Sequence, residues 1–420
     1  MQNNLNSNRF IRAVLPAFLL AVSVGQIYAF TIFSDPIAQY LNPQHATAIR
    51  AQVQFAFSLG IFFLGMGAAF FGKIVERNIK LSTLLGTALF IAGLLVTALG
   101  VKAKSLWLIY LGYGFLLGTG TGIIYISPVK TMMLWFPNAK AIAAAVPIIS
   151  FGLGSSLCTL LYEGFGFASR LFTLRFEGFA VFGITKVFVV FAVFYAVPMV
   201  FSALLLKKPA VVQTTFGHSL PQLEFSYLRL ARDTWFLRVW LFMFLNISCG
   251  LCLIPLAKQL MATVPSYSAS FVTLVLTLMG LMNGAGRFFF AWWSDRLVRR
   301  VNILLIILGI SAGVMVASLV PVLLAVALVI IPACYGAGFS VLPAVLADHY
   351  GMANISKIHG AALSAWGVAG LVGNQVALPV FRTWGLAGVS LLLVVFYLVN
   401  AANAASLKRD VFGLDVAKPV

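Results

Sequence analysis

Long apolar stretches alternate with short polar clusters along nearly the whole chain. A membrane-spanning helix needs about 20 mostly apolar residues, and roughly twelve stretches reach that length. In the first half of the sequence they cover about 12–33, 51–71, 81–100, 106–129, 141–162 and 183–206. In the second half they cover about 235–257, 268–293, 301–320, 322–345, 358–380 and 385–406. The pattern predicts an all-α membrane protein with twelve transmembrane helices.

Composition excludes a water-soluble fold, because 61% of the 420 residues are hydrophobic and only 9% are charged. Soluble domains carry about 25% charged residues. A basic stretch, 207–234, separates two predicted six-helix bundles, 1–206 and 235–420, and the second bundle ends in a short cytoplasmic tail. Transporters are often built from two symmetry-related halves, so we expect the two bundles to be pseudo-symmetric.

The formal net charge of +18 is explained by membrane orientation and does not require a nucleic-acid partner. Lys and Arg concentrate in cytoplasmic loops. With the N-terminus inside, 19 of the 28 Lys and Arg residues fall in the cytoplasm and 8 outside, with Arg287 within a span. The first apolar stretch is longer than the core of a signal peptide. We predict a multi-pass protein of the bacterial inner membrane with both termini cytoplasmic, Gln213 inside and Ser169 outside.

The four cysteines lie inside apolar spans, where we expect them to act as small packing residues: Cys158, Cys249, Cys252 and Cys334. The sequence indicates no metal site and no cofactor. A membrane enzyme is disfavoured, because no buried His, Cys or acid cluster forms a plausible catalytic set. Glycines at 118 and 122, four residues apart, predict close helix packing.

An acid–arginine pair recurs at the same place in each half. Glu76-Arg77 follows the second span and Asp295-Arg296 follows the eighth. An acid there can pair with an arginine or with the N-terminus of a following helix, although a simple topogenic charge cluster would look the same. The second copy resembles the loop signature of the major facilitator superfamily, with Ala291 and Val298 where that signature has glycine. The resemblance implies two six-helix bundles that work by alternating access, with these loops guiding the conformational change.

Arg287 is the foremost candidate for substrate binding. It lies eight residues before Asp295, which places it roughly 12 Å inside the end of the eighth helix. Charges at such depth usually face a cavity, and guanidinium binds a carboxylate through two parallel hydrogen bonds. A structural pair with a distant acid or with backbone carbonyls is the alternative.

The segment Asn283–Arg287, which reads Asn-Gly-Ala-Gly-Arg, resembles the substrate-binding helix of the oxalate/formate antiporter family. The related monocarboxylate transporters have an aspartate at the position of Asn283. Further segments are similar to the antiporter family: Gly25–Ile37, Tyr125 with Trp135–Pro137, Asp233–Phe236, and Tyr335–Phe339 with Pro343.

The resemblance also implies a preference among substrates. The oxalate exchanger uses a lysine on its eleventh helix as a second cation, and Trp366 stands at that position when His359-Gly360 is aligned with the family's Tyr-Gly. One cation matches one carboxylate, so we expect a monocarboxylate or another singly charged organic anion. The candidate substrate contacts beside Arg287 and Asn283 are five aromatic residues: Tyr28, Tyr125, Tyr335, Phe339 and Trp366.

Coupling is less well defined. His359 could titrate at physiological pH or simply lie at the membrane interface, and we expect Lys130 to extend towards the headgroups. The partners are a small organic anion, a proton or counter-anion, and the lipid bilayer, and we expect a monomer. An exporter of drug-like or siderophore-like solutes, and a sensor built on a transporter fold, remain alternatives.

Overall fold

The computed structural model describes residues 8–164, 176–209, 226–297 and 299–410. Within these ranges the chain is helical and contains no strand. Ser169, Gln213 and Val298, and residues 210–225 of the predicted linker, lie outside the described residues.

Six helices precede the linker and correspond one to one with the predicted spans: α1 Phe10–Leu41, α2 Pro43–Arg77, α3 Ile79–Lys102, α4 Leu106–Trp135, α5 Pro137–Glu163 and α6 Ile184–Leu205. Two of the helices, α2 and α4, continue six residues past their predicted ends, to Arg77 and Trp135. Hydropathy marks only the lipid-immersed part, whereas backbone hydrogen bonding continues into the headgroup region and beyond.

Six further helices follow: α7 Thr234–Ala262, α8 Ala269–Ser294, α9 Val301–Ala317, α10 Pro321–Tyr350, α11 from Ile355 to a kink at Gly385, and α12 from that kink to Asp410. Gly385 has φ 61° and ψ −152°, a conformation that L side chains rarely adopt, so the glycine permits the break between α11 and α12. Within the predicted linker, a short helix, Tyr227–Arg232, is capped by the Ser226 hydroxyl. Counted over the described residues, the structure confirms the twelve-helix prediction.

The chain forms two compact units that follow the sequence halves except at two short segments. The first unit is Met1–Pro137, Val146–Leu220 and Ala353–Gly367, and the second is Asn138–Ala145, Pro221–Met352 and Val368–Val420. The start of α11 therefore packs with the first half of the sequence, and the start of α5 packs with the second half. These two short segments depart from the predicted bundles, 1–206 and 235–420. For the rest of the chain the division into these bundles stays a prediction.

Glycine permits the close approach of α2 and α4 in the first unit. A Cβ atom at Gly118 would lie 2.5 Å from the Gly60 carbonyl oxygen, and one at Gly122 would lie 2.1 Å from that of Leu64. Any side chain at these two positions would push the helices apart. The close packing predicted from the spacing of Gly118 and Gly122 is confirmed.

Candidate functional site

Arg287 lies in the second unit, on the face of α8 that contacts α10, and its side chain is almost entirely buried. Its Nε donates a hydrogen bond to Asn283 Oδ1 at 3.1 Å, one helical turn earlier. Its guanidinium carbon lies 5.8 Å from the centre of the Phe339 ring, within the range of a cation–π contact. Asn283 and Phe339 are both neutral, so these contacts orient the guanidinium without adding a negative charge.

Two glycines hold α8 against α10 at this point. A Cβ atom at Gly286 would lie 2.3 Å from the Ala333 carbonyl oxygen, and one at Gly336 would lie 2.5 Å from the Asn283 carbonyl oxygen. Larger residues would separate the helices and move Arg287 away from Phe339. The Asn-Gly-Ala-Gly-Arg segment thus supplies both the arginine and the close approach that positions it.

Tyr335 completes the cluster in the second unit. Its ring lies 5.3 Å from that of Phe339 and packs over Gly250 of α7, where a Cβ atom would be 2.3 Å from the ring. Its carbonyl oxygen accepts a hydrogen bond from Asn246 Nδ2 at 3.4 Å. Asn246 is buried and was missed by the sequence analysis, although an asparagine inside an apolar span is itself a signal of a polar role at membrane depth.

The remaining aromatic candidates, Tyr28, Tyr125 and Trp366, lie together in the first unit. The Tyr28 and Trp366 rings are 6.2 Å apart and the Tyr125 and Trp366 rings 5.4 Å apart. Phe151 lies within 6 Å of all three rings. Phe151 was not predicted, because one phenylalanine among 37 carries no signal of its own.

A 3₁₀ turn at Gly25–Ala29 interrupts α1 and places Tyr28 in this cluster. A Cβ atom at Gly25 would lie 2.0 Å from the Phe151 carbonyl oxygen, so only glycine permits the contact of α1 with α5. The Tyr113 hydroxyl donates to the Ile27 carbonyl oxygen at 2.9 Å, which satisfies a backbone acceptor in the interrupted helix. Gln26, in the same turn, is fully buried, and its side-chain amide has no hydrogen-bond partner among the described residues.

His359 is buried, and its ring lies 6.3 Å from that of Tyr125. The side chain packs inside the first unit, to which this part of α11 belongs. Its placement near the membrane interface stays a prediction. Its role in coupling stays a prediction.

Glu76 contacts the N-terminus of α11 in the first unit. One carboxylate oxygen accepts from the Ser356 backbone N–H, and the other forms an ion pair with the Lys130 ammonium. Lys130 is buried, so the expectation that it extends towards the headgroups is wrong. Arg77 is exposed, and the ionic partner of Glu76 is a lysine from α4 that sequence proximity could not reveal.

Asp295 makes the corresponding contact in the second unit. Its carboxylate accepts from the backbone N–H groups of Ala141 and Ile142, at the start of α5, at 3.1 and 3.0 Å. Arg300 donates to Asp295 at 2.9 Å and also pairs with Asp348. Burial disfavours the charge of Arg300, but the Asp348 and Asp295 carboxylates outweigh it and raise its pKa.

Arg296, which was predicted to act with Asp295, stacks instead on the Trp292 ring at 3.7 Å. The four cysteines are buried free thiols. Among the described residues no group of three or more His, Cys, Asp or Glu side chains could hold a metal ion.

Comparison with known proteins agrees with this architecture. The chain is 24% identical over 382 residues to an uncharacterized MFS-type transporter, YhjX, of Escherichia coli, covering 88% of this chain and 87% of YhjX. It is 22% identical over 391 residues to the oxalate:formate antiporter of Oxalobacter formigenes, covering 91% and 87% of the two chains.

Solved structures share the fold at low sequence identity. The human organic anion transporter MFSD10 matches with a TM-score of 0.67 and 14% identity, covering 94% of this chain and 98% of that chain. The E. coli fucose:proton symporter FucP matches with a TM-score of 0.64 and 16% identity, covering 94% and 99%. The sequence profile of the Major Facilitator Superfamily matches residues 14–374, and the chain therefore belongs to this superfamily of membrane transporters.

Proposed function

We propose that this secondary transporter carries a small monocarboxylate-like organic anion, with Arg287 binding the carboxylate. The observation that supports this most is the placement of Arg287, a guanidinium buried on α8 and oriented by the neutral groups of Asn283 and Phe339. A carboxylate that leaves water needs charge-assisted hydrogen bonds, and a fixed guanidinium supplies two of them. The likeness to the oxalate:formate antiporter supports an anion as substrate.

The preference for one carboxylate over two rests on Trp366, which stands where the resembling family has a lysine. Trp366 is buried among Tyr28, Tyr125 and Phe151, a surrounding that favours an apolar or aromatic substrate group over a second carboxylate. Acetate, lactate or formate should therefore compete for transport more strongly than oxalate or malonate. Trp366→Lys should shift the preference towards the dicarboxylates, and stronger competition by oxalate in the parent protein would contradict the monocarboxylate preference.

Substitution of Arg287 is the decisive experiment. Uptake of labelled formate, acetate and lactate into proteoliposomes should be lost in Arg287→Gln, since removing one partner of a buried charge-assisted contact costs about 2–5 kcal/mol. Arg287→Lys keeps the charge but not the planar geometry and should retain weak transport at best. Substrate-induced thermal stabilisation of purified protein separates lost binding from lost folding.

Arg232→Gln is the matched control, because Arg232 is exposed at the end of the short helix that precedes α7. It should transport like the parent. Full transport by Arg287→Gln would remove the anion site from α8 and favour an exporter of neutral or cationic solutes. Substrate binding with no flux in any of these assays would favour a sensor.

The conformational change is proposed to break and remake the Glu76 and Asp295 contacts. Each acid holds the N-terminus of a helix from the other half of the sequence, so movement of the halves must change both contacts. The driving ion is tested by repeating uptake with a pH gradient and with internal counter-substrates. A buried His359 that takes up a proton would make transport depend on the gradient, and His359→Gln would remove that dependence.

The proposed orientation places both termini in the cytoplasm of a bacterial inner membrane. A membrane-impermeant thiol reagent should label Gln213→Cys only from the cytoplasmic side and Ser169→Cys only from outside. Labelling of Ser169→Cys from the cytoplasmic side alone would reverse the orientation.

A further inference from the structure

An open cleft lies at the end of α8 that is farthest from Asp295. Its volume is about 680 Å³, and its walls include Lys258 from α7 and Thr273 and Thr277 from α8. Among the described residues that line it, Lys258 alone carries a full charge. The Tyr267 hydroxyl donates to the Val322 carbonyl oxygen at 2.8 Å and accepts from the Ala325 N–H at 3.1 Å, which fixes one wall to the start of α10.

Helix α8 presents three different faces along its length. One face is buried by packing and includes Val275, Met279, Gly286 and Phe290. A second face is apolar and exposed, with residues seven apart: Leu274, Leu281 and Phe288. The third face consists of small or polar residues at alternating spacings of four and three, which place them on one stripe of a helix: Thr273, Thr277, Gly280, Gly284 and Arg287.

The third face, called the α8 stripe, is open from Thr273 to Gly284 and ends at the buried Arg287. A Cβ atom added at Gly280 or Gly284 would meet nothing within 4 Å. Thr273 donates its hydroxyl to the Ala269 carbonyl oxygen and Thr277 to that of Thr273, so each threonine oxygen keeps lone pairs that water can occupy. An open row of hydroxyls and glycines ending at an arginine is poorly suited to lipid, whereas the leucines and phenylalanine of the second face are well suited to it.

We propose that the Lys258 cleft is a second anion-binding position and that the α8 stripe is the water-filled route from it to Arg287. Arg287 lies 14 residues after Thr273, which corresponds to about 21 Å along the helix. A positive charge at the mouth of a low-dielectric cleft raises the local concentration of anions. The identity of the travelling anion rests on the proposed function, but the existence of a wet, anion-attracting stripe does not.

Thiol labelling tests the stripe without any substrate. Gly280→Cys lies on the stripe and Leu281→Cys on the apolar face, and the parent protein, whose four cysteines are buried, gives the background rate. Anionic, neutral and cationic methanethiosulfonate reagents, which react with water-exposed thiolates, should label Gly280→Cys at least about tenfold faster than Leu281→Cys. In the Gly280→Cys protein, adding Lys258→Gln should slow labelling by the anionic reagent about threefold or more at low salt and leave labelling by the neutral reagent unchanged. Adding Lys258→Arg keeps the positive charge and should not slow labelling by the anionic reagent. Equal rates at the two positions, or an anionic rate indifferent to Lys258→Gln, would overturn the proposal.

Transport of labelled acetate then separates this inference from the proposed function. Lys258→Gln should raise the KM about threefold or more at low salt, with the maximal rate unchanged and the effect reduced at high salt. Lys186→Gln, at the start of α6, is the control and should change neither constant. Arg287-dependent uptake that is insensitive to Lys258→Gln would refute only the second position. If the parent protein carries no acetate, formate or lactate, the proposed function fails, and the labelling rates still decide whether the stripe attracts anions.

Discussion

The Glu76 contact in the first unit and the Asp295 contact in the second are chemically alike but are stabilised differently. In both, a carboxylate at the end of a helix accepts hydrogen bonds from the N-terminus of another helix, where the helix dipole favours negative charge. In the first unit the other partner is Lys130, and the Glu76 and Lys130 side chains are only 13% and 6% exposed. In the second unit Asp295 belongs to a network with Arg300, Asp348 and Lys140, in which the Asp348 side chain is 38% exposed.

The packing of the helices is also different at the two contacts. In the first unit α2 and the start of α11 approach through glycines, since a Cβ atom at Gly360 would lie 2.1 Å from the Ala68 carbonyl oxygen and one at Gly65 would lie 2.6 Å from that of Leu363. At the start of α5, by contrast, the structure shows hydrogen bonds to Asp295 and an ion pair between Lys140 and Asp348. The comparison teaches that one contact depends on a single buried pair and tight packing, whereas the other depends on several shared charges.

Removing Lys130 should therefore have the largest effect. Lys130→Met leaves the Glu76 carboxylate buried without its cation, and breaking a buried ion pair costs about 3–5 kcal/mol. Chemical unfolding of the purified protein in detergent measures the loss. Glu76→Gln combined with Lys130→Met should recover much of the stability, and a double variant no more stable than Lys130→Met would show that the pair is not the source.

Asp295→Asn should have the next largest effect. It removes the charge from hydrogen bonds with the N–H groups of Ala141 and Ile142 and from the pair with Arg300, and hydrogen bonds to charged groups contribute about 1.5–3 kcal/mol. The loss should be smaller than for Lys130→Met, because Asp348 still compensates Arg300. A loss as large as that of Lys130→Met would abolish the distinction between the two contacts.

Gly360→Ala tests the packing difference. The added methyl group must move α11 away from α2, and such overpacking costs about 1–3 kcal/mol. Gly313→Ala in α9 is the matched control, since a Cβ atom there meets nothing within 4 Å and alanine favours helix by about 0.5–1 kcal/mol. Equal stability of the two variants in the same unfolding assay would contradict the close approach.

Lys140→Gln should have the smallest effect. Lys140 Nζ lies 3.4 Å from Asp348 Oδ1, and the pair is partly exposed, so its contribution is about 0–1 kcal/mol. Added salt should reduce even this difference, because exposed pairs are screened. A loss well above 1 kcal/mol, or one that does not respond to salt, would indicate a more buried network than the structure contains.

The candidate site was partly predictable. Arg287 was visible as a charge inside an apolar span, and Asn283, Tyr335 and Phe339 were implied by the resemblance to the oxalate/formate antiporter family. The structure brings these four residues together. Phe151, Asn246 and Gln26 were missed. Their places in the site depend on which helices pack together. That packing is permitted by glycines that contact helices distant in the sequence.

The sequence by itself determined the number and place of the helices, because about 20 apolar residues can cross a bilayer only as a helix with every backbone group paired. It also determined that Glu76 and Asp295 lie at helix ends. Only the tertiary structure decided their partners. Lys130 pairs with Glu76 across 54 residues, and the N–H of Ser356 reaches Glu76 across 280. A charge inside a span has the same hydropathy whether it extends to the headgroups or pairs in the interior, so packing alone separates the two outcomes.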